Sequence, residues 1–128
     1  MIAGTDFQFQ EPEFVTQVAG GLRPGVATAF EIGEIQAECE AARAHCLACA
    51  DGMIVVDLRP HGADLELFVW LGVAFRHGAW ERQGPALLEI ARDLGARTIA
   101  FEARRRGWSR RLGPEWQRRG TREFVRAV

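Results

Sequence analysis

The sequence contains no lysine, no tyrosine and no asparagine. Apart from the histidines, every basic residue is one of 16 arginines, a bias that reflects a G+C-rich genome and does not by itself indicate phosphate binding. No apolar run approaches the roughly 18 residues that a membrane-spanning helix requires, so no such span is expected. The opening Met1-Ile2-Ala3-Gly4-Thr5-Asp6 lacks the basic start and apolar stretch of a secretory signal, and a cytoplasmic location is expected. Three cysteines, an odd number in a chain without an export signal, read as reduced thiols rather than a disulfide framework. What is present is ordinary. The 128 residues, 48% hydrophobic and 26% charged, suffice for one globular domain whose core needs neither metal nor disulfide.

The net charge of -1 hides a polarity along the chain. Residues 1–75 hold 11 acids and 3 arginines, a net -8, and residues 76–128 hold 13 arginines and 6 acids, a net +7. The two halves should attract each other, either within one domain or between neighbouring copies.

Residues 1–11 read as an N-terminal arm, with Phe7 and Phe9 alternating in a segment too short to assign to an element. Residues 12–128 read as a single domain. Pro12 opens a first helix that Gly20-Gly21 closes, and Leu22-Arg23-Pro24-Gly25 is a turn. A second helix over 27–44 carries Phe30, Ile32, Ile35, Cys39 and Ala42 at helical spacing, with Glu31, Glu34, Glu38 and Glu40 mostly off that stripe. The period then changes. A strand over 44–50, a two-residue hairpin signal at Asp51-Gly52, a strand over 53–59, a turn over 60–64 and a strand over 65–74 make an antiparallel meander. A helix over 79–94 follows, closed by Gly95. Pro85 sets its start near 85, or kinks it if it starts near 79. The strand over 97–103 should lie parallel to the third meander strand through a right-handed crossover. Residues 107–119 read as a short helix with Trp108, Leu112 and Trp116 on one stripe, and 121–128 as a closing strand.

This is an α/β order with a mixed sheet: two N-terminal helices, a three-strand meander, a crossover helix, a parallel strand, a short helix and a final strand. It resembles the GNAT N-acetyltransferase fold without its usual first strand. The Gly95-Ala96 turn, the apolar strand after it and Arg106-Gly107-Trp108-Ser109-Arg110 look like the end of small GNAT-like proteins encoded in bacteriophages and prophages. Ala41-Ala42-Arg43-Ala44-His45-Cys46-Leu47 is similar to the same group's helix end and following strand.

The resemblance implies acetyl-CoA as cofactor, its pyrophosphate gripped by backbone N–H groups after the long central strand, where a helix turns its positive end to the phosphates. The residues implied are Arg76, Gly78, Arg82 and Gly84. The spacing departs from the pattern: each arginine has its glycine two residues on instead of three, Pro85 lacks an N–H, and Glu81 repels phosphate. GNAT enzymes commonly protonate the departing thiolate with a tyrosine on the last helix. This chain has none, and Ser109 is the nearest hydroxyl. Glu66, Asp57 and His77 are the candidate bases near the splayed central strands, each read as a solvated surface group. Catalytic residues are therefore unassigned.

Cys46 and Cys49, with Cys39 and His45 nearby, have zinc-ligand chemistry, but residues three apart in a strand point to opposite faces, so no metal is expected. From Arg104 to Arg122 the chain holds eight arginines against one acid, Glu115. Arg104, Arg105, Arg106, Arg110, Arg111, Arg118 and Arg119 are the expected interaction surface, suited to a protein partner or a second copy, with at most weak, salt-sensitive affinity for nucleic acid. Two functions follow. One is an acyl-CoA N-acyltransferase with a divergent site. The other is a non-catalytic GNAT-like component that binds protein, as in the assembly of a phage or gene-transfer particle.

Overall fold

A computed structural model describes residues 4–20, 29–103 and 107–128. In chain order the elements are β1 (Gln8–Phe9), α1 (Glu13–Ala19), α2 (Ala29–Glu40), β2 (His45–Cys49), β3 (Gly52–His61), β4 (Asp64–Ala74), α3 (Ala79–Asp93), β5 (Thr98–Glu102), α4 (Trp108–Arg111), β6 (Gln117–Arg119) and β7 (Glu123–Ala127). They form one sheet in the order β1-β2-β3-β4-β5-β7-β6. Among the described residues, only β4 and β5 pair in parallel, across the α3 crossover. The meander, crossover and parallel strand are as expected from the sequence.

The sequence pattern missed both edges of this sheet. Gln8 and Phe9 pair with Ala48 and Leu47, and Phe7 is buried, so the opening segment supplies the short first strand. At the other edge, Gln117–Arg119 is a strand against β7. The 107–119 helix is thus one turn long, and Trp108, Leu112 and Trp116 do not share a helical stripe. Gly113-Pro114 stops the helix, and four residues cannot carry a stripe of three.

Two apolar layers cover the sheet. Val15 and Ala19 of α1 and Ile32 and Ile35 of α2 pack on Cys46, Met53, Val55 and Leu71. On the other face, Leu87, Ile90 and Ala91 of α3 pack on Leu47, Val56, Leu67 and Ile99. Each fully buried aliphatic side chain contributes about 1.5–3 kcal/mol. Phe30 is not in the first layer. It stands two residues, or about 200°, from Ile32 around the helix and is 75% exposed. Ala42 lies beyond the helix at φ 59°, where the Arg43 N–H reaches back to the Glu38 carbonyl.

The β2–β3 turn is one residue earlier than Asp51-Gly52 suggested, because Cys49 pairs with Gly52 and leaves Ala50 and Asp51 as the loop. Gly52 is glycine for another reason. A Cβ there would sit 2.4 Å from the Val73 carbonyl oxygen of β4.

Glu66 of β4 is buried, not the solvated group its sequence context suggested. Arg119 of β6 donates to both its oxygens, Nη1 to Oε1 at 2.9 Å and Nη2 to Oε2 at 2.7 Å. Thr98 Oγ1 donates to Oε1 at 2.9 Å. Arg119 also holds Glu123. These bonds, from Arg119 first, lower the Glu66 pKa and keep it ionised. Removing one partner of a buried ion pair typically costs about 3–5 kcal/mol. Arg119 is partly exposed and keeps Glu123, so Glu66→Gln should cost about 2–3 kcal/mol, read as a lower urea midpoint at unchanged slope. A loss under about 0.5 kcal/mol would show that the pair is dispensable.

Candidate functional site

The loop after β4 enters α3 through Gly78 in the left-handed region, φ 78°. The positive φ is what favours glycine here, since the nearest atom to an added Cβ, Arg82 Nη1 at 2.8 Å, is the movable end of a side chain. Helix α3 starts at Ala79 and runs through Pro85, the longer of the two expected alternatives. Arg76 is exposed. Gly84 lies inside α3 with open space where a Cβ would point.

Arg82 does not face solvent as a free cation. Its Nε and Nη2 donate to Asp51 Oδ1 at 3.1 and 2.7 Å, and Gln83 Nε2 donates to Asp51 Oδ2 at 2.7 Å. Asp51 is buried in the β2–β3 turn. The hydrogen bonds from Arg82 and then Gln83 pull its pKa down to about 2. One residue earlier in the helix, the Glu81 carboxylate accepts from its own backbone N–H and from Arg111, which lower its pKa in that order. Arg111 Nη2 reaches it at 3.0 Å from α4. The first turn of α3, where an anion would be attracted, therefore already carries the Glu81 carboxylate, while Asp51 takes the side-chain donors of Arg82 and Gln83.

An aromatic cluster lies beside this turn. The Trp80 ring of α3 meets Trp108 of α4 at 5.0 Å, Phe101 of β5 at 5.6 Å and Trp116 at 5.9 Å between centroids. Phe101 also contacts Trp108 and Trp116 and stacks on Phe124 of β7. The start of α3 and the start of α4 are thus joined twice, by indole contact and by the Glu81–Arg111 ion pair. Gly107, at φ 95°, sets the turn that delivers Trp108.

The central strands diverge above this cluster. Pairing of β4 with β5 covers Glu66–Val69 and Thr98–Phe101, whereas β4 continues to Ala74. In the β3–β4 ladder Val55 pairs with Leu71 and Val56 with Val69, leaving Trp70 as an extra residue. This bulge changes the backbone phase. Before it, the Leu65 carbonyl accepts from Arg97 on the β5 side. After it, the Phe75 N–H donates to Asp51 on the β3 side. The main-chain groups of Gly72 and Ala74 consequently face the widening gap beyond β5.

The other expected site residues are spread out. Asp57 pairs with Arg59 at 3.0 Å, while His77 and Ser109 are exposed. Glu66 cannot serve as a base, since its oxygens are committed to Arg119 and Thr98. Arg110 and Arg118 are exposed, Arg111 and Arg119 are ion-paired, and Arg104, Arg105 and Arg106 lie outside the described residues. Cys39, Cys46 and Cys49 are free thiols. Cys46 packs under α1 and α2 and Cys49 against the opposite layer, as strand alternation requires. Burial pushes the Cys46 thiol up to about 12. Among the described residues no three metal-ligating side chains converge.

Asp51 and Trp80 were not legible as site residues. The only sequence hint of Asp51 was an acid in a turn, and its pairing with Arg82 spans 31 positions.

The sequence matches no family model and no curated protein. Its structure is similar to a chain in the crystal structure of the NatC complex bound to Gag peptide and CoA, with a TM-score of 0.63 over 97% of this chain and 99% of that chain, at 11% identity. NatC is an N-acetyltransferase of the GNAT type, and the likeness establishes a GNAT-like fold for the present chain.

The network around Asp51 has a pH signature. Its carboxyl is more acidic folded than unfolded, so its stabilisation is complete at neutral pH and is lost as pH falls from the ordinary carboxylate range toward about 2. The melting-temperature gap between wild type and Asp51→Asn should be widest above about pH 5 and close progressively toward pH 2. A gap independent of pH would contradict the ionised Asp51–Arg82 contact.

Proposed function

We propose that this chain uses the GNAT-like fold as a protein-binding or assembly module and not as an N-acyltransferase. The observation that carries this reading is the closed seam between α3 and α4. A cofactor whose pyrophosphate sat at the start of α3, and whose thiolate was served from the last helix, would have to pass between these two helix ends. Here Trp80 rests on Trp108 at 5.0 Å and Arg111 bridges to Glu81.

The electrostatics agree. Glu81 accepts at the first turn of α3, the end that would attract phosphate, and Arg82 is engaged by Asp51. Phosphate would have to displace both carboxylates, and a buried charge separated from its partner is costly. The absence of tyrosine removes the usual proton donor, and Ser109 on the one-turn α4 is exposed. Arg106-Gly107-Trp108-Ser109-Arg110, the stretch that resembles phage and prophage GNAT-like proteins, contributes Trp108 to the plug. That resemblance supports service in a phage-type or gene-transfer particle assembled in the cytoplasm.

The acyltransferase reading is favoured by one observation. The gap beyond β5, edged by the main chain of Gly72 and Ala74, could pair with the amides of an extended acyl-pantetheine arm, and the similar NatC complex was solved with CoA. In that reading Arg76, Gly78, Arg82 and Gly84 form a loose pyrophosphate site, with Arg82 released from Asp51.

Calorimetric titration with acetyl-CoA separates the two. The expected result is no heat and no thermal shift up to ligand on the order of 1 mM, an affinity weaker than about -4 kcal/mol. Tighter binding that Arg76→Ala or Arg82→Ala abolishes would restore the enzyme reading.

A further inference from the structure

The aromatic cluster has an outer side, and arginines cover it. The Arg111 guanidinium lies over Trp108 at 4.7 Å, that of Arg118 over Phe124 at 5.5 Å and that of Arg126 over Trp116 at 5.9 Å. Trp108, Trp116 and Phe124 all contact Phe101, so these guanidinia roof one continuous cluster. Stacking on a ring leaves the in-plane N–H donors of an arginine available to carboxylates. Arg110 on α4, Arg118 on β6 and Arg122 in the β6–β7 turn are exposed, and none of the three has a carboxylate partner among the described residues.

The opposite charge is displayed elsewhere on the molecule. Helix α2 packs on the Met53 and Val55 face of the sheet, whereas the aromatic cluster lies on the α3 face at the β5-β7-β6 end. Glu34 and Glu40 of α2 are exposed and have no ion-pair partner among the described residues. Phe30 stands on the same helix, 75% exposed. One copy cannot bring its own α2 against its own β6 edge, because the sheet separates them.

Resting on the binding-module reading above, we propose that the partner is a second copy of this chain. The arginine-roofed aromatic surface of one copy receives the acidic, Phe30-bearing face of α2 from the next. Charge complementarity selects this occupant: the two surfaces come from halves of the sequence with net charges of -8 and +7. Single-stranded nucleic acid fits less well. Its bases need open ring faces, and here guanidinia and neighbouring rings already occupy them. The contact is head to tail, so it repeats into rings or open chains instead of ending at a symmetric dimer.

Sedimentation velocity on the full chain tests this. At roughly 0.1–0.5 mM protein the wild type should exceed the monomer mass in about 20 mM salt and return to monomer in about 500 mM, where exposed pairs are screened. Arg110→Gln with Arg118→Gln, and separately Glu34→Gln with Glu40→Gln, should each weaken association about tenfold or more with unchanged melting temperature. Mixing these two variants should yield a species of twice the monomer mass and nothing larger, because one intact contact remains per pair. A wild type that is monomeric in low salt, association indifferent to salt, or a mixture without the heterodimer would each overturn the proposal. So would a monomer that binds a dT20 oligonucleotide under the same low-salt conditions, assigning the surface to nucleic acid. Acetyl-CoA binding by the same sample would instead remove the binding-module reading, so the two failures are distinguishable.

Discussion

The ion pair between Glu66 and Arg119 is the constraint on which the second half of the structure depends. In the sheet order, β5 and β7 lie between β4, which carries Glu66, and β6, which carries Arg119. Three strand spacings, about 14 Å in a flat sheet, combined with the offset along β7 from Ala127, level with Glu66, to Glu123, level with Arg119, exceed the joint reach of the two side chains. The bond therefore exists only because the β5-β7-β6 end curls across the sheet face. The pair lies on the α1–α2 face: Glu66 alternates with Leu67, Thr98 with Ile99 and Glu123 with Phe124, whose side chains face α3 or its aromatic cluster. The buried carboxylate thereby braces, from the opposite face, the strands that carry Phe101 and Phe124 of the plug.

In the binding-module reading proposed above, the plug is what lets a GNAT-like fold serve without a cofactor site. A fold is kept by its core, and function is carried by sites grafted on it. Here the core layers under α1, α2 and α3 are complete. The bulge at Trp70 and the divergence of β4 from β5 are also present, because they belong to the sheet itself. The helix ends carry the Glu81 carboxylate paired with Arg111 and the Trp80–Trp108 indole contact, both of which join α3 to α4.

Local patterns were legible in the sequence and distant pairings were not. The meander and crossover followed from alternation, turn residues and the return to helical spacing after Phe75. Phe30 was misplaced because two residues of offset reverse a helix face, which a loose periodicity overlooks. The Asp51-Gly52 signal marked a turn but misassigned its glycine, whose role comes from the approach of the Val73 carbonyl on another strand. The β6 strand was hidden because three residues rich in arginine lack an apolar alternation. Glu66 looked like a surface acid and Asp51 like a turn residue because their partners lie 53 and 31 positions away. Within the expected loop, Gly78 was read as a pyrophosphate contact, and neither its left-handed turn into α3 nor the capture of Arg82 by Asp51 was legible.

Three of the four tryptophans, Trp80, Trp108 and Trp116, sit in the one cluster that seals α3 to α4, and the fourth, Trp70, lies in the opposite layer at the bulge. The ultraviolet emission of this protein is therefore dominated by indoles coupled at 5–6 Å. Their colour reports the wetness of a single seam. With no tyrosine to feed or blur that signal, the chain carries a built-in optical gauge of whether its helix ends are together.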